Sequence, residues 1–327
     1  MIAHRRCGCS GVLLPEISLG LWHNFGDVDD PSEARNMIMH AFDQGITHFD
    51  LANNYGPPPG SAEKNFGTIL RSDLLAHRDE LFISTKAGHA MWPGPHGEWG
   101  SRKHVLASLD QSLQRLRLPY VDVFYSHRPD PHTPLEETMS ALITAVQSGR
   151  ALYVGLSKYP LTMLQEAVSI LRASGVRPLL YQPPYSILNR WPEAEGIHAW
   201  LEQEGIGSIV FSPLAQGMLT PKYLNGIPAG SRAAREDGFL QESQVIAQQE
   251  KLRALSAVAE TLGLPLHHMA LRWALQQQGV TSLIVGARNV AQLDDNLAAL
   301  QVPELPIEAL QAIDRVAPAV RKEHAEG

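Results

Sequence analysis

The sequence predicts an α/β fold, a (β/α)8 TIM barrel with an N-terminal β-hairpin and extra helices near the C-terminus. Three observations carry that expectation. Eight short apolar runs recur along the 327 residues, each continuous rather than alternating, as strands covered on both faces require. Segments of helical periodicity separate them, the pattern of successive β-loop-α units. Several runs also end on a polar or titratable side chain, as in a barrel that presents its chemistry at one rim.

Taken in order, residues 1–14, with Gly8 and Gly11, form a hairpin that caps the barrel floor. The expected strands are Ile17–Gly20, Ile46–Asp50, Leu81–Thr85, Val121–Ser126, Leu152–Leu156, Leu179–Gln182, Ser208–Ser212 and Ser282–Val285. Ser101 is placed to cap a helix from Arg102 to about Leu116, in which Val105, Leu109, Leu113 and Leu116 share a face. Leu135–Gln147 and Thr162–Arg172 follow the same logic, with Gly149 and Gly175 at their ends. Between Ser212 and Gly286 the chain is longer than in the other units. It holds a polar loop, 226–244, then helical stretches Val245–Leu262 and Pro265–Gln278. Extra chain at a barrel rim is commonly functional. All of 1–327 is expected to be one domain, since such barrels use about 250 residues or more.

Composition narrows the function classes. Hydrophobic residues at 44% and charged at 19% are ordinary for a globular protein. A net charge of −7 disfavours a nucleic-acid or anionic-membrane surface. No run approaches the ~18 apolar residues of a membrane span, and the first six residues carry no apolar leader-like core. Cys7 and Cys9 are the only cysteines, too close in sequence to bridge well. They make half a metal site at most, so no metal is expected, and two reduced thiols suit a cytoplasmic protein.

The chemistry starts at Asp50, Tyr55, Lys86 and His127. A phenol with a pKa near 10 donates protons slowly at neutral pH. A neighbouring ammonium lowers that pKa, and Lys86 is the natural neighbour. Asp50 is suited to hold Lys86 charged and oriented. His127 can donate a hydrogen bond to a carbonyl oxygen. Singly, each has an ordinary explanation: a turn tyrosine, a capping lysine, a strand-end histidine. Together they describe an acid that protonates oxygen while a nucleophile reaches carbon.

The residues around them carry a resemblance. Gly45-Ile46-Thr47-His48-Phe49-Asp50 followed by Asn54-Tyr55-Gly56 resembles the first signature of the aldo-keto reductases. Ser84-Thr85-Lys86 and Tyr125-Ser126-His127 are similar to the next two. The resemblance covers residues 5–318. It is closest to the branch holding the potassium-channel β subunits and the bacterial L-glyceraldehyde 3-phosphate reductases. To the latter are similar Leu21–Gly26, the turn Asn53–Gly60, Met91–Pro95 and Ser101-Arg102-Lys103.

What the resemblance implies is NADPH-dependent reduction of small aldehydes, with L-glyceraldehyde 3-phosphate and methylglyoxal as substrates. Tyr55 would be the proton donor, Lys86 its pKa modulator, Asp50 the partner of Lys86, and His127 the group that orients the carbonyl. Trp22 and Asp50 would line the nicotinamide ribose side. Ser157 and Gln182 would hold the carboxamide, and Phe211 would stack on the ring. Family members often have Asn where this chain has Lys158, so that residue has no role by analogy. Ser212, Leu214 and Gly217 would form the pyrophosphate loop. Lys222 and Arg232 would lie in a rim loop, 218–244, that covers the dinucleotide. Gly286, Arg288, Gln292, Asp295 and Asn296 would complete the adenosine site. Arg288 suits a 2′-phosphate, because a guanidinium grips phosphate through two hydrogen bonds. Relatives suggest tetramers or octamers.

A substrate phosphate needs positive charge, and Arg102, Lys103 and Arg190 are the candidates. Trp92 and Trp99 in the loop His89–Gly100 either wall the substrate pocket or pin that loop to the rim. Two other functions compete. One is a Schiff-base lyase with Lys86 as nucleophile. The other is an NADPH-sensing regulatory subunit of a membrane complex, by analogy with the channel subunits.

Overall fold

The chain opens on an antiparallel hairpin, β1 (His4–Arg6) paired with β2 (Leu13–Pro15). The computed structural model describes residues 2–229, 231–234 and 240–321. After the hairpin come β3 (Ile17–Gly20), α1 (Pro31–Asp43), β4 (His48–Asp50), α2 (Ser61–Ile69), β5 (Phe82–Ala87) and α3 (Arg102–Leu116). The series continues with β6 (Val121–Ser126), α4 (Leu135–Gln147), β7 (Ala151–Ser157), α5 (Leu161–Ala173) and β8 (Pro178–Gln182). Two short helices follow, α6 (Trp191–Ala194) and α7 (Ile197–Glu204), then β9 (Gly207–Phe211). The last stretch holds α8 (Glu242–Thr261), α9 (Leu266–Gln276), β10 (Val280–Val285), α10 (Val290–Ala298) and α11 (Ile307–Val316). Strands β3 to β10 are parallel and close a barrel, with β10 returning to pair with β3.

Caps explain several helix starts. Asp30 accepts from Ser32 N at 2.8 Å, with Pro31 as the first helical residue of α1. Ser101 accepts from His104 N at 3.2 Å, so α3 begins where the sequence places it. α8 begins at Glu242 rather than Val245, because Gln241 and Gln244 form a capping box. At β4 the strand starts later than expected. The amide of Ile46 turns back to Ala41 O at 2.9 Å and closes α1, so pairing begins only at His48.

The main core lies between barrel and helices, where Val105, Leu109 and Leu116 of α3 are buried as their spacing predicts. A smaller core fills the barrel interior: Cys7 and Leu14 from the hairpin meet Val123, Tyr125, Leu180 and Ile209. Gly155 on β7 makes room for the Tyr125 ring, since a Cβ there would lie 2.2 Å from it. The hairpin seats on the floor through Cys9 N to Gly205 O, 3.0 Å. Gly8 has φ +53°, and a Cβ there would lie 2.0 Å from Gly205 O, so only glycine fits. Among the described residues no helix is long and apolar enough to cross a membrane.

Candidate active site at the barrel rim

The strand ends bring the predicted four together. Asp50 is the last residue of β4, and Lys86 lies inside β5, one residue before its end. His127 follows β6, and its amide donates to Ala87 O at 2.9 Å. Tyr55 sits in the turn after β4, where its carbonyl accepts from Gly60 N at 3.0 Å and Ala62 N at 3.3 Å. Parallel strands in register, with Asp50 opposite Ser84, set the acid beside the lysine.

Lys86 is fully buried. Its ammonium donates to Asp50 Oδ2 at 2.6 Å, Leu51 O at 2.7 Å and, over a long 3.4 Å, Tyr55 Oη. Those three acceptors match the three hydrogens an ammonium carries. Asp50 Oδ1 accepts from Ser84 Oγ at 2.8 Å and Gln182 Nε2 at 3.0 Å. Ser84 Oγ in turn lies 3.1 Å from His48 Nε2, and Ser18 Oγ lies 2.9 Å from His48 Nδ1. A buried polar chain therefore runs from β3 to β8 beneath the rim. Tyr55 meets His127 edge-on at 6.0 Å and Trp22 at 6.2 Å between ring centroids.

The electrostatics differ from the sequence-based expectation at one point. Lys86 was expected to lower the Tyr55 pKa. In the site as it stands, burial pushes the phenol well up, and the Asp50 charge adds to that. Lys86 and Asp50 offset one another, so little net positive charge reaches the phenol, and desolvation dominates. Burial also lowers Lys86, with Asp50 opposing. His127 is held well below the usual histidine range, first by burial and then by Lys158, Lys86, His89 and Arg128. The ring is neutral at pH 7, and its buried Nδ1 has no hydrogen-bond partner among the described residues. The arrangement is a protonated phenol and a neutral imidazole at the edge of a cleft: two groups able to donate to one oxygen.

The cleft holds about 710 Å³, within the range of ligand sites. Asp50, Tyr55 and His127 line one end with Trp22, Gln182 and Phe211. Ser212, Leu214, Gly217, Lys222, Gly286, Arg288 and Gln292 line the rest of it. Its walls suit a long, anionic, ring-bearing ligand. After β9 the backbone takes positive φ at Ser212 (55°), Ala215 (48°), Gln216 (59°) and Gly217 (96°). The Ala215 and Gly217 amides close this turn onto Ser212 O at 2.8 Å and Leu214 O at 2.9 Å, and positive-φ backbone of this kind clusters at functional sites. The N-terminus of α10 borders the cleft, with Asn289 capping Gln292 N at 2.9 Å and Gln292 Oε1 accepting from Arg288 N at 2.8 Å.

Other expected residues lie elsewhere. Lys86 and Ser157 are fully buried behind the wall, and Ser157 Oγ donates to Gln182 O at 2.8 Å. Asn296 is buried outside the cleft lining, with Nδ2 unpartnered among the described residues. Asp295 faces α9, hydrogen-bonded to His267 Nε2 at 2.8 Å and His268 Nε2 at 3.0 Å. Arg232 begins a short 3-10 turn, but its side chain lies outside the described residues, as do residues 230 and 235–239 of the rim loop. None of the three candidates for a substrate phosphate lines the cleft. Arg102 donates to Ser140 O at 2.8 Å, on the outer helices, and Lys103 beside it is exposed. Arg190 is locked to Glu193 at 2.6 Å and Asp314 at 2.7 Å. Trp92 packs on His104 and Trp99 under Arg128, so both tryptophans pin the loop to the rim.

Sequence reasoning missed Asn24, His89 and Asn289, and left Lys158 without a role; all four line the cleft. Asn24 holds φ 71° and its Nδ2 donates to Ala287 O at 3.0 Å, bridging the first and last loops. The strand-end rule extended by a few residues would have found Asn24 and His89. Asn289 carried a helix-start signal.

Comparison with known proteins agrees with this geometry. Residues 16–318 match the aldo/keto reductase family. L-glyceraldehyde 3-phosphate reductases of Escherichia coli O157:H7 and of strain K12 are each 53% identical to this chain over 316 residues, covering 95% of it and 91% of their own length. The holo form of aldo-keto reductase AKR11C1 from Bacillus halodurans superimposes over 100% of both chains with a TM-score of 0.80 at 25% identity. The barrel, its polar rim and these matches together make the chain a member of the aldo/keto reductase family, and so an oxidoreductase.

Proposed function

We propose that this enzyme reduces small aldehydes to alcohols with NADPH, L-glyceraldehyde 3-phosphate foremost and methylglyoxal among related substrates. The observation that carries the reading is the Tyr55 hydroxyl, beside buried Lys86 and next to His127 at the end of a long cleft. Family membership brings a nicotinamide cofactor. The name borne by both Escherichia coli relatives supports the triose phosphate.

Trp22, Gln182 and Phe211 would hold the nicotinamide end, the turn Ser212–Gly217 with Lys222 the pyrophosphate, and Arg288 with Gln292 the adenosine end. Arg232 and the loop 218–244 would fold over it. When bound, NADPH supplies the hydride that the carbonyl carbon gains. Every other part of the reaction belongs to the chain. His127, neutral, donates to the carbonyl oxygen and aligns it. Tyr55 gives that oxygen its proton, which completes the alcohol. Because Lys86 donates to the phenol oxygen, the phenol's own hydrogen is left to face the cleft. A phenol is far more acidic than the alcohol it creates, so its raised pKa keeps the proton in place until negative charge grows on the substrate oxygen. The ammonium then stabilises the phenolate left behind.

The Schiff-base reading loses support, because Lys86 is enclosed and its hydrogens face three acceptors. We further propose one barrel domain over 1–327, an oligomer of four or eight copies, and a cytoplasmic setting, which the unbridged Cys7 and Cys9 suit. A fluorescence titration with NADPH and NADH, followed by NADPH oxidation with glyceraldehyde 3-phosphate, tests the reading. NADPH-selective binding with turnover is expected. Binding of neither nucleotide would overturn it.

A further inference from the structure

Glu63 lies outside the cleft lining, fully buried in the first turn of α2, the helix that follows the Tyr55 turn. A buried carboxylate is costly unless it is paired and hydrogen-bonded. Both of its oxygens are engaged. Thr85 Oγ1 on β5 donates to Oε1, and Arg115 Nε on α3 donates to Oε2 at 2.7 Å. Thr85 is itself fully buried and directly precedes Lys86. The carboxylate therefore joins the helix after the Tyr55 turn to the strand that carries Lys86, and both to α3.

The same helix start holds Tyr55. α2 begins at Ser61, and the amides on either side of it, Gly60 and Ala62, donate to the Tyr55 carbonyl at 3.0 Å and 3.3 Å. Glu63 follows Ala62 directly. Close packing seats this helix on α3: a Cβ at Gly67 would lie 2.4 Å from Arg115 O, and one at Gly60 2.9 Å from Arg115 Cδ. The Tyr55 turn thus meets β5 through two ties. One is backbone, from Asn53 N to Lys86 O at 3.0 Å. The other is the Thr85–Glu63 hydrogen bond. Between them they set the separation of Tyr55 Oη and Lys86 Nζ, which is already long at 3.4 Å. A misplacement of about 1 Å in such a constellation can cost about 100-fold in rate.

We propose that Glu63, through Thr85, is a positioning residue that fixes Tyr55 against Lys86 for proton transfer to the substrate. This rests on the reading of Tyr55 as the acid given above. Burial lowers Lys86, and Glu63, after Asp50, opposes that, so the charge of Glu63 has to be told apart from its tie. Glutamine does so. Its Nε2 can donate to the Thr85 oxygen while its Oε1 accepts from Arg115, because a hydroxyl serves as donor or acceptor. The tie survives and the charge goes.

The experiment compares wild type, Glu63→Gln, Glu63→Leu and Thr85→Val. It measures kcat per folded enzyme with glyceraldehyde 3-phosphate and saturating NADPH, and the isotope effect with NADPH deuterated at the transferring carbon. Glu63→Leu and Thr85→Val lower kcat about 10- to 100-fold. They leave the aldehyde KM and the NADPH dissociation constant little changed. The isotope effect rises, because the chemical step has become slower relative to product release. Glu63→Gln recovers most of the rate. Thr85→Val carries the test if Glu63→Leu does not fold. A carboxylate with a purely structural role would lower Tm but leave kcat of the folded enzyme and the isotope effect where they are, and that outcome overturns the proposal. So does a Glu63→Gln rate as low as that of Glu63→Leu, which would make the charge the cause. Crystal structures of wild type and Thr85→Val give a readout that needs no turnover: the Tyr55 Oη–Lys86 Nζ separation grows in the variant, and an unchanged separation also overturns the proposal. If wild type reduces no aldehyde, the assigned reaction falls, and this distance alone decides whether the tie holds Tyr55.

Discussion

Asp50→Asn keeps the shape of the site and removes one charge. Asp50 accepts three hydrogen bonds on two oxygens, from Ser84, Gln182 and Lys86. Asparagine has one acceptor oxygen and an NH2 group, so a donor would face a donor, at Lys86 in the least disruptive orientation. Both partners are dry, with the Lys86 side chain 0% exposed and that of Asp50 2%, so solvent does not soften the loss. Removing one member of such a pair costs about 3–5 kcal/mol. Lys86 can escape part of this by shedding its proton, at about 1.4 kcal/mol per pKa unit. A net loss of about 3 kcal/mol at pH 7 follows, or a fall in Tm of roughly 5–10 °C for a chain of this size. The pH dependence identifies the cause. Burial already places Lys86 below its unfolded value, and the variant lowers it further. Between the folded and unfolded pKa values the unfolded chain binds more protons, so stability rises with pH. The gap between wild type and Asp50→Asn is therefore widest near pH 7 and narrows toward pH 10. Urea unfolding monitored by circular dichroism at pH 7, 8.5 and 10 measures it. A gap below ~1 kcal/mol at pH 7, or one that does not change with pH, would refute the reasoning.

Tyr55→Phe retains NADPH binding and loses about 10²- to 10⁴-fold in kcat, the span of a positioned acid; stopped-flow turnover beside a nucleotide titration tests it, and unchanged turnover removes Tyr55 from its role. Arg288→Ala weakens NADPH about 10- to 100-fold while NADH changes little, since one charge-assisted phosphate contact is at stake; equal losses in the two dissociation constants would mean that Arg288 does not read the 2′-phosphate. His48 is held at about 4, against an ordinary 6.5, chiefly by burial. Its contribution is thus complete above pH 6.5 and lost as pH falls toward 4, about 3 kcal/mol in all. His48→Gln should flatten the slope of stability against pH in that window, and an unaltered slope would place the acid sensitivity elsewhere.

Much of this was legible in the sequence because barrel strands, buried on both faces, are continuous apolar runs. The eight runs each became a strand, and Ser101, Gly149 and Gly175 marked real helix boundaries. Asp50, Lys86 and His127 were legible because a strand end fixes direction as well as position, and Tyr55 because it lies in the turn that follows β4. What failed was anything that depended on where a long side chain goes after leaving the backbone. Arg102 and Arg190 have the charge for phosphate but spend it on Ser140, Glu193 and Asp314. The sign of the Tyr55 shift needed burial, which pairwise reasoning about Lys86 omits.

The seated hairpin divides the molecule into an anchored end and an adaptable one. Cys7, Gly8 and Leu14 close the floor in tight contact with the barrel, at the end of the strands away from the cleft. Rim segments such as His89–Gly100 and Ser212–Gly217 can then vary while the scaffold below keeps its registration. In a panel of loop exchanges, ligand preference and resistance to unfolding should sort independently. Substitutions at Gly8, by contrast, should weaken every exchange alike. The fold thus separates the end that seats the hairpin from the end that carries the cleft.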